Sequence, residues 1–166
     1  MNSNKASDGN FRDHRGGVQP GNPNNSNKVP EKIRKYIQGE EMEGKIQYEI
    51  FSLKGSIKTE YCERAGNEAK MNQLRKFYDQ ILSINDDLVK GAKTVDGKLI
   101  RIVPIAKYAK ARGLIDDKLM NLIDDSIGII SGHSDLNKKK VSLERFKNVM
   151  EAIVAYSKSD NKGGQR

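Results

Sequence analysis

Few residues in this chain combine the types and spacings that covalent or metal chemistry requires. The two histidines, His14 and His133, lie far apart, the second in a Gly132-His133-Ser134-Asp135 stretch. A zinc site wants several clustered nitrogen and sulfur ligands, and neither histidine has such company. The single cysteine, Cys62, has no nearby histidine in sequence to activate it and reads as a small, buried apolar side chain. The doublets Asp86–Asp87, Asp116–Asp117 and Asp124–Asp125 resemble carboxylate pairs. Adjacent residues on a helix, however, point about 100° apart and do not converge on one ion. Asp116 and Asp117 are better explained as helix-start charges that complement the backbone dipole. Lys162-Gly163-Gly164 sits in a polar end segment and opens no helix, so it is no phosphate loop. No catalytic residue, metal site or cofactor is expected, and the chain does not read as an enzyme.

Binding chemistry is the alternative, and it rests on the basic residues. Between Gly97 and Ile115 stand Lys98, Arg101, Lys107, Lys110 and Arg112, without one acidic residue. On a helical wheel with Ile105 at zero, Lys110 and Lys107 fall at about 140° and 200°, the outward side, and Arg112 at the edge of the buried stripe. Farther back, Arg75 and Tyr78 share a half-apolar stripe with Met71 and Leu82, next to Lys76. An arginine beside an aromatic suits phosphate contact combined with base or sugar packing. Arg145 flanks the core edge of the last helix, and both it and Arg112 read as phosphate contacts or, alternatively, as bundle or inter-subunit ion pairs. Arg75, Lys76, Lys107, Lys110, Arg112 and Arg145 are therefore the candidate phosphate contacts. Lys138 to Lys140 read as a plain loop charge run.

Helices must position these side chains, because apolar residues recur by threes and fours through most of the chain. Pro30 and Gly39 bracket a short helix carrying Ile33, Tyr36 and Ile37. Residues 40–66 are less regular, with Ile46, Ile50, Leu53 and Ile57 interrupted by Gly44 and Gly55, and a helix through Ile57, Tyr61 and Ala65 fits better than a strand. Leu74, Phe77, Ile81, Ile84 and Leu88 form a sustained stripe. Pro104 opens a helix with Ile105, Tyr108 and Ala109 inward, ending near Gly113. A further helix from Asp116 to about Ser131 buries Leu119, Leu122, Ile123, Ile127 and Ile130. Ser142 can cap the last one, whose core stripe is Leu143, Phe146, Val149, Met150, Ile153 and Val154. The expected fold is an all-α, compact bundle of five to six helices.

Composition sets the bounds. The 166 residues are enough for one domain, with 36% hydrophobic and 31% charged side chains. Residues 1–29, rich in Asn, Gly, Ser and Pro, bury too little apolar surface to offset ordering and read as a disordered tail. Residues 30–158 are the bundle domain, and residues 159–166 a polar tail. The net charge of +8 attracts polyanions, nucleic acid foremost. No apolar run has the length of a membrane span, no secretory signal opens the chain, and one cysteine argues for no oxidising compartment. The cytoplasm is the expected location.

Three segments carry a resemblance: Asn72-Gln73-Leu74-Arg75-Lys76-Phe77-Tyr78, then Pro104 through Arg112 with its Tyr108-Ala109 and Arg112, and Phe146 through Tyr156. In this order they cover roughly residues 57–158, and together they resemble the small subunit of the type III-A CRISPR Csm effector complex. At its C-terminal end the chain departs from that pattern, because Ser157, Ser159, Asp160 and Asn161 precede Gly163-Gly164. The resemblance implies a non-catalytic helical subunit of an antiviral defence complex. It implies self-association in several copies as a minor filament beside the crRNA-bearing backbone subunit, with the large Cas10-type subunit as a further partner. It further implies contact with crRNA and target RNA that ignores sequence, because guide pairing supplies the specificity. A scaffold without nucleic-acid contact is the rival expectation. A free-standing helix–turn–helix protein fits less well, because the helix after Gly113 carries Asp116, Asp117, Asp124 and Asp125, which phosphates would repel.

Overall fold

A computed structural model describes residues 27–40 and 43–157. His14, most of the N-terminal tail and the residue 159–166 tail lie outside the described residues. The helices are α1 (Glu31–Gln38), α2 (Glu43–Phe51), α3 (Glu63–Glu68), α4 (Met71–Val89), α5 (Asp96–Ile100), α6 (Ile102–Ala111), α7 (Asp117–Gly132) and α8 (Leu136–Tyr156), with a π-helical turn at Lys58–Cys62 leading into α3. There is no strand among the described residues. None of their helices is long and apolar enough to cross a membrane.

The two longest helices, α4 and α8, pack along each other and form the axis of the bundle. Their apolar stripes are the expected ones. Leu74, Phe77, Ile81, Ile84 and Leu88 are buried on α4, and Leu143, Phe146, Val149, Met150 and Ile153 on α8. Helix α1 rests on α8 through Ile33, Tyr36 and Ile37, which are almost fully enclosed. It stops at Gly39, whose φ of 89° lies in the left-handed region that glycine occupies without a Cβ penalty. Helix α3 crosses the end of α8 very closely. A Cβ added at Gly66 would lie 2.7 Å from Ser157 Cβ and 2.8 Å from the Ile153 carbonyl oxygen, so only glycine fits this crossing.

Helix starts follow the caps. The Asp116 side chain accepts from the Leu119 amide at 2.9 Å and opens α7 where expected. Helix α8 begins at Leu136, earlier than a Ser142 cap would place it, because Asp135 accepts from the Lys138 amide at 2.8 Å. Ser142 is instead buried within α8, with its Oγ 2.9 Å from His133 Nε2. Lys138 to Lys140 are accordingly helical rather than a loop charge run. Lys139 is nearly enclosed and holds both carboxylate oxygens of Asp96, at 2.8 and 2.9 Å. Leu53, assigned to the apolar series of residues 46–57, is 77% exposed in the turn after α2.

Candidate nucleic-acid interface

Helix α6 differs most from expectation. It starts at Ile102, ahead of Pro104, and buries Ile102, Ala106 and Ala109 against its neighbours. Ile105 (38% exposed) and Tyr108 (64% exposed) therefore turn outward. At helical spacing, Arg101, Ile105, Tyr108 and Arg112 make one exposed stripe, cationic at both ends and apolar in the middle. The Arg112 guanidinium lies 5.6 Å from the Tyr108 ring centre, within cation–π range. Lys107 and Lys110 are exposed as expected, and Lys110 pairs with Asp117 at the start of α7.

Helix α4 is tied to the α5–α6 segment at both ends. At one end the Lys70 amide donates to the Leu114 carbonyl at 2.9 Å. At the other, Lys98 Nζ donates to Asp87 Oδ2 at 2.6 Å. Between the ties lies an open groove of about 710 Å³. Its rim carries Arg75 and Lys76 from α4 with Lys98 and Arg101 from the facing segment, and Asp79 is its single carboxylate. Ile84 and Ile102, both buried, and Ile105 supply apolar surface inside it. The ion pair with Asp87 draws this carboxyl below its ordinary value, through the Lys98 hydrogen bond first and its charge second. Arg75, Lys76, Arg101 and Lys107 have no ion-pair partner among the described residues.

Arg75 and Lys76 are thus brought together, facing the groove rather than Tyr78, which is half-buried beside the core. Lys107, Lys110 and Arg112 lie along α6 beyond the groove lining. Arg145 is separated from all of them. It is only 9% exposed, and its Nη1 donates to the carbonyl oxygens of Tyr36 at 2.8 Å and Glu40 at 3.3 Å. These acceptors belong to the C-terminal end of α1, so Arg145 works as an interior cap, holding backbone carbonyl oxygens within the bundle. Lys98 and Arg101 complete the rim but were not among the candidates, although the acid-free run from Gly97 to Ile115 contains both. Gln80, which also lines the groove, gave no signal in the sequence.

Elsewhere polarity is spent on packing. The Tyr61 hydroxyl donates to the Lys118 carbonyl at 3.1 Å inside the bundle, and burial raises its ionisation well above the usual phenol value. Burial, with the Glu63 charge adding to it, pushes the Cys62 thiol up to about 12. Among the described residues no three of His, Cys, Asp and Glu cluster as a metal site would require.

Fold and surface together define a small helical bundle with an open, cation-rimmed groove beside α4. The chain belongs to the Csm2 type III-A family, whose model matches residues 47–163. It is accordingly a small subunit of a type III-A CRISPR Csm complex. Comparisons with curated proteins and with solved structures find no match.

Proposed function

We propose that this subunit is non-catalytic and holds the backbone of target RNA and crRNA, independently of sequence, along a filament of several copies beside the crRNA-bearing backbone subunit. The observation that carries the reading is the cluster of exposed cations at the groove, Arg75, Lys76 and Arg101, continued by Arg112 on the Arg101 stripe of α6, with Lys107 and Lys110 exposed on the other sides of that helix. Arginine and lysine on one face neutralise phosphates without reading bases. One subunit offers few such contacts, and repetition turns weak contacts into avidity. The bundle of residues 30–158 is the working unit in this reading, with residues 1–29 and 159–166 as its tails.

The test is Arg75→Glu in every copy of the assembled complex. The expected outcome is much weaker target-RNA binding, with crRNA retained and with cleavage by the other subunits preserved at saturating target. Loss of the subunit from the complex would make Arg75 an inter-subunit contact. Normal target binding would sink its RNA role. A scaffold without nucleic-acid contact is the second reading, favoured by the exposed Tyr48 and Leu53 around α2, apolar surface of the kind that partner subunits cover.

A further inference from the structure

One cation on the rim of the groove is already engaged. Lys98 lines the groove with Arg75, Lys76 and Arg101, but its Nζ donates at 2.6 Å to Oδ2 of Asp87, which is not part of the lining. The pair is not needed to place α5. Leu99 of that helix is fully buried, and Asp96 at its start is held through both carboxylate oxygens by Lys139 of α8. The Asp87 and Lys98 side chains are 37% and 64% exposed, and ion pairs at such a surface contribute little to folding. Asp87 is also badly placed for its own helix. It lies with Asp86 in the last turn of α4, which holds no basic residue, and the negative end of the helix dipole disfavours a carboxylate there. A carboxylate that works against its helix and does little for the fold points to a role at the groove.

A lysine bound to a carboxylate adds no net charge to the rim, so it neutralises no phosphate and releases no counterion when one arrives. We propose that Asp87 is a brake on RNA binding, an internal carboxylate that occupies the Lys98 ammonium in competition with phosphate and keeps the affinity of each copy low. The inference rests on the RNA reading of the groove and adds its regulation. Three cations act at the rim, and a fourth is held in reserve. Lys110, although paired with Asp117, is held less firmly. Asp117 lies in the first turn of α7, where the positive end of the dipole takes up part of its charge. Asp87 has no such compensation, and Lys98 is its main counter-charge, with Lys90 second. Where weak contacts repeat along a filament, a small loss at each copy multiplies. A modest brake in every subunit therefore decides how readily a bound strand is released.

The test uses the full chain and a single-stranded RNA oligonucleotide, with binding followed by anisotropy over a range of salt. Asp87→Asn keeps the size of the side chain and returns the charge of Lys98 to the rim. It should bind about fivefold more tightly than the wild type at about 0.1 M salt, with a slope of log affinity against log salt steeper by about 0.7, the contribution of one more phosphate. Asp86→Asn makes the same change of charge one residue away, at a carboxylate with no ion-pair partner among the described residues. Screened by salt, it should give only a small part of that gain. In a Lys98→Met background Asp87→Asn should gain no more than Asp86→Asn does, because the effect passes through the lysine. The melting temperature of Asp87→Asn should not fall. Unchanged binding overturns the brake, as does an equal gain from Asp86→Asn or a full gain without Lys98. Weaker binding with a lower melting temperature also overturns it and makes the pair a tie for α5. In each of these cases the salt-dependent binding of the wild type leaves the RNA reading standing. Absence of salt-dependent binding in every variant overturns the RNA reading and the brake with it.

Discussion

The guanidinium of Arg145 lies 5.1 Å from the centre of the Tyr36 ring and donates to the carbonyl oxygen of the same residue at 2.8 Å. One side chain of α8 thereby holds both the aromatic anchor of α1 and the end of its backbone. The Tyr36 hydroxyl in turn accepts from Asn148 Nδ2 at 3.4 Å. Fixing α1 to α8 in this way takes a planar group with several donors, which arginine has and lysine lacks.

Replacing Arg145 should therefore damage the fold rather than RNA binding. Arg145→Met leaves the Tyr36 and Glu40 carbonyls without this donor and should cost about 1–3 kcal/mol. Arg145→Lys should recover little of it. Urea unfolding of the two variants decides the matter, and wild-type stability in both would mean that the cap contributes nothing.

Core and surface substitutions should separate cleanly. Phe77→Ala and Ile153→Ala truncate fully buried side chains and should each cost about 2–5 kcal/mol. Lys107→Ala touches an exposed residue and should change stability by no more than about 0.5 kcal/mol. Lys110→Ala loses only an exposed pair with Asp117, worth about 0–1 kcal/mol. Both lysine variants should flatten the salt dependence of RNA binding, whose slope shrinks by about 0.7 for each phosphate no longer neutralised. A lysine variant that melts like Phe77→Ala would refute the outward placement of that side chain.

Alkaline pH should destabilise the bundle through Cys62. The folded thiol is raised from an ordinary 9.0 to about 12, so the unfolded chain loses its proton first. Stability from this group is complete below pH 9 and declines as pH rises toward 12. Tyr61, raised in the same direction, steepens the loss at the upper end. At about pH 8, below the ordinary thiol range, the buried thiol should react with an alkylating reagent only as fast as the chain opens. Rapid labelling of the native protein would show that Cys62 is accessible.

Strong periodicity makes the long helices legible. On α4, α7 and α8 large aliphatic side chains recur on one face, and those faces are the buried ones. On α6 the same rule points the wrong way. Ile105 and Tyr108 outweigh Ala106 and Ala109 in hydrophobicity, yet the alanines face α7 because their small side chains let two helices approach. Bulk is a poor guide to depth there, and of the residues expected inward Ala109 is buried while Ile105 and Tyr108 are exposed. The groove is invisible in the sequence for another reason. Arg75 and Lys76 are separated along the chain from Lys98 and Arg101, and only the packing of α4 beside the α5–α6 segment joins them. Arg145 misleads because a charge at a helix edge reads as a surface charge until the carbonyl groups that receive it are seen. Lys139 is the same case, its ammonium buried against Asp96.

The bond between the Lys70 amide and the Leu114 carbonyl is made by main chain on both sides. No exchange of side chains abolishes it except a proline at position 70, which has no amide hydrogen to give. Spacing and charge across the cleft are thus under separate control. Descendants of this sequence can shuffle lysine, arginine or neutral residues along the rim, tuning how tightly a polyanion is gripped, while this end of the clamp keeps its gauge.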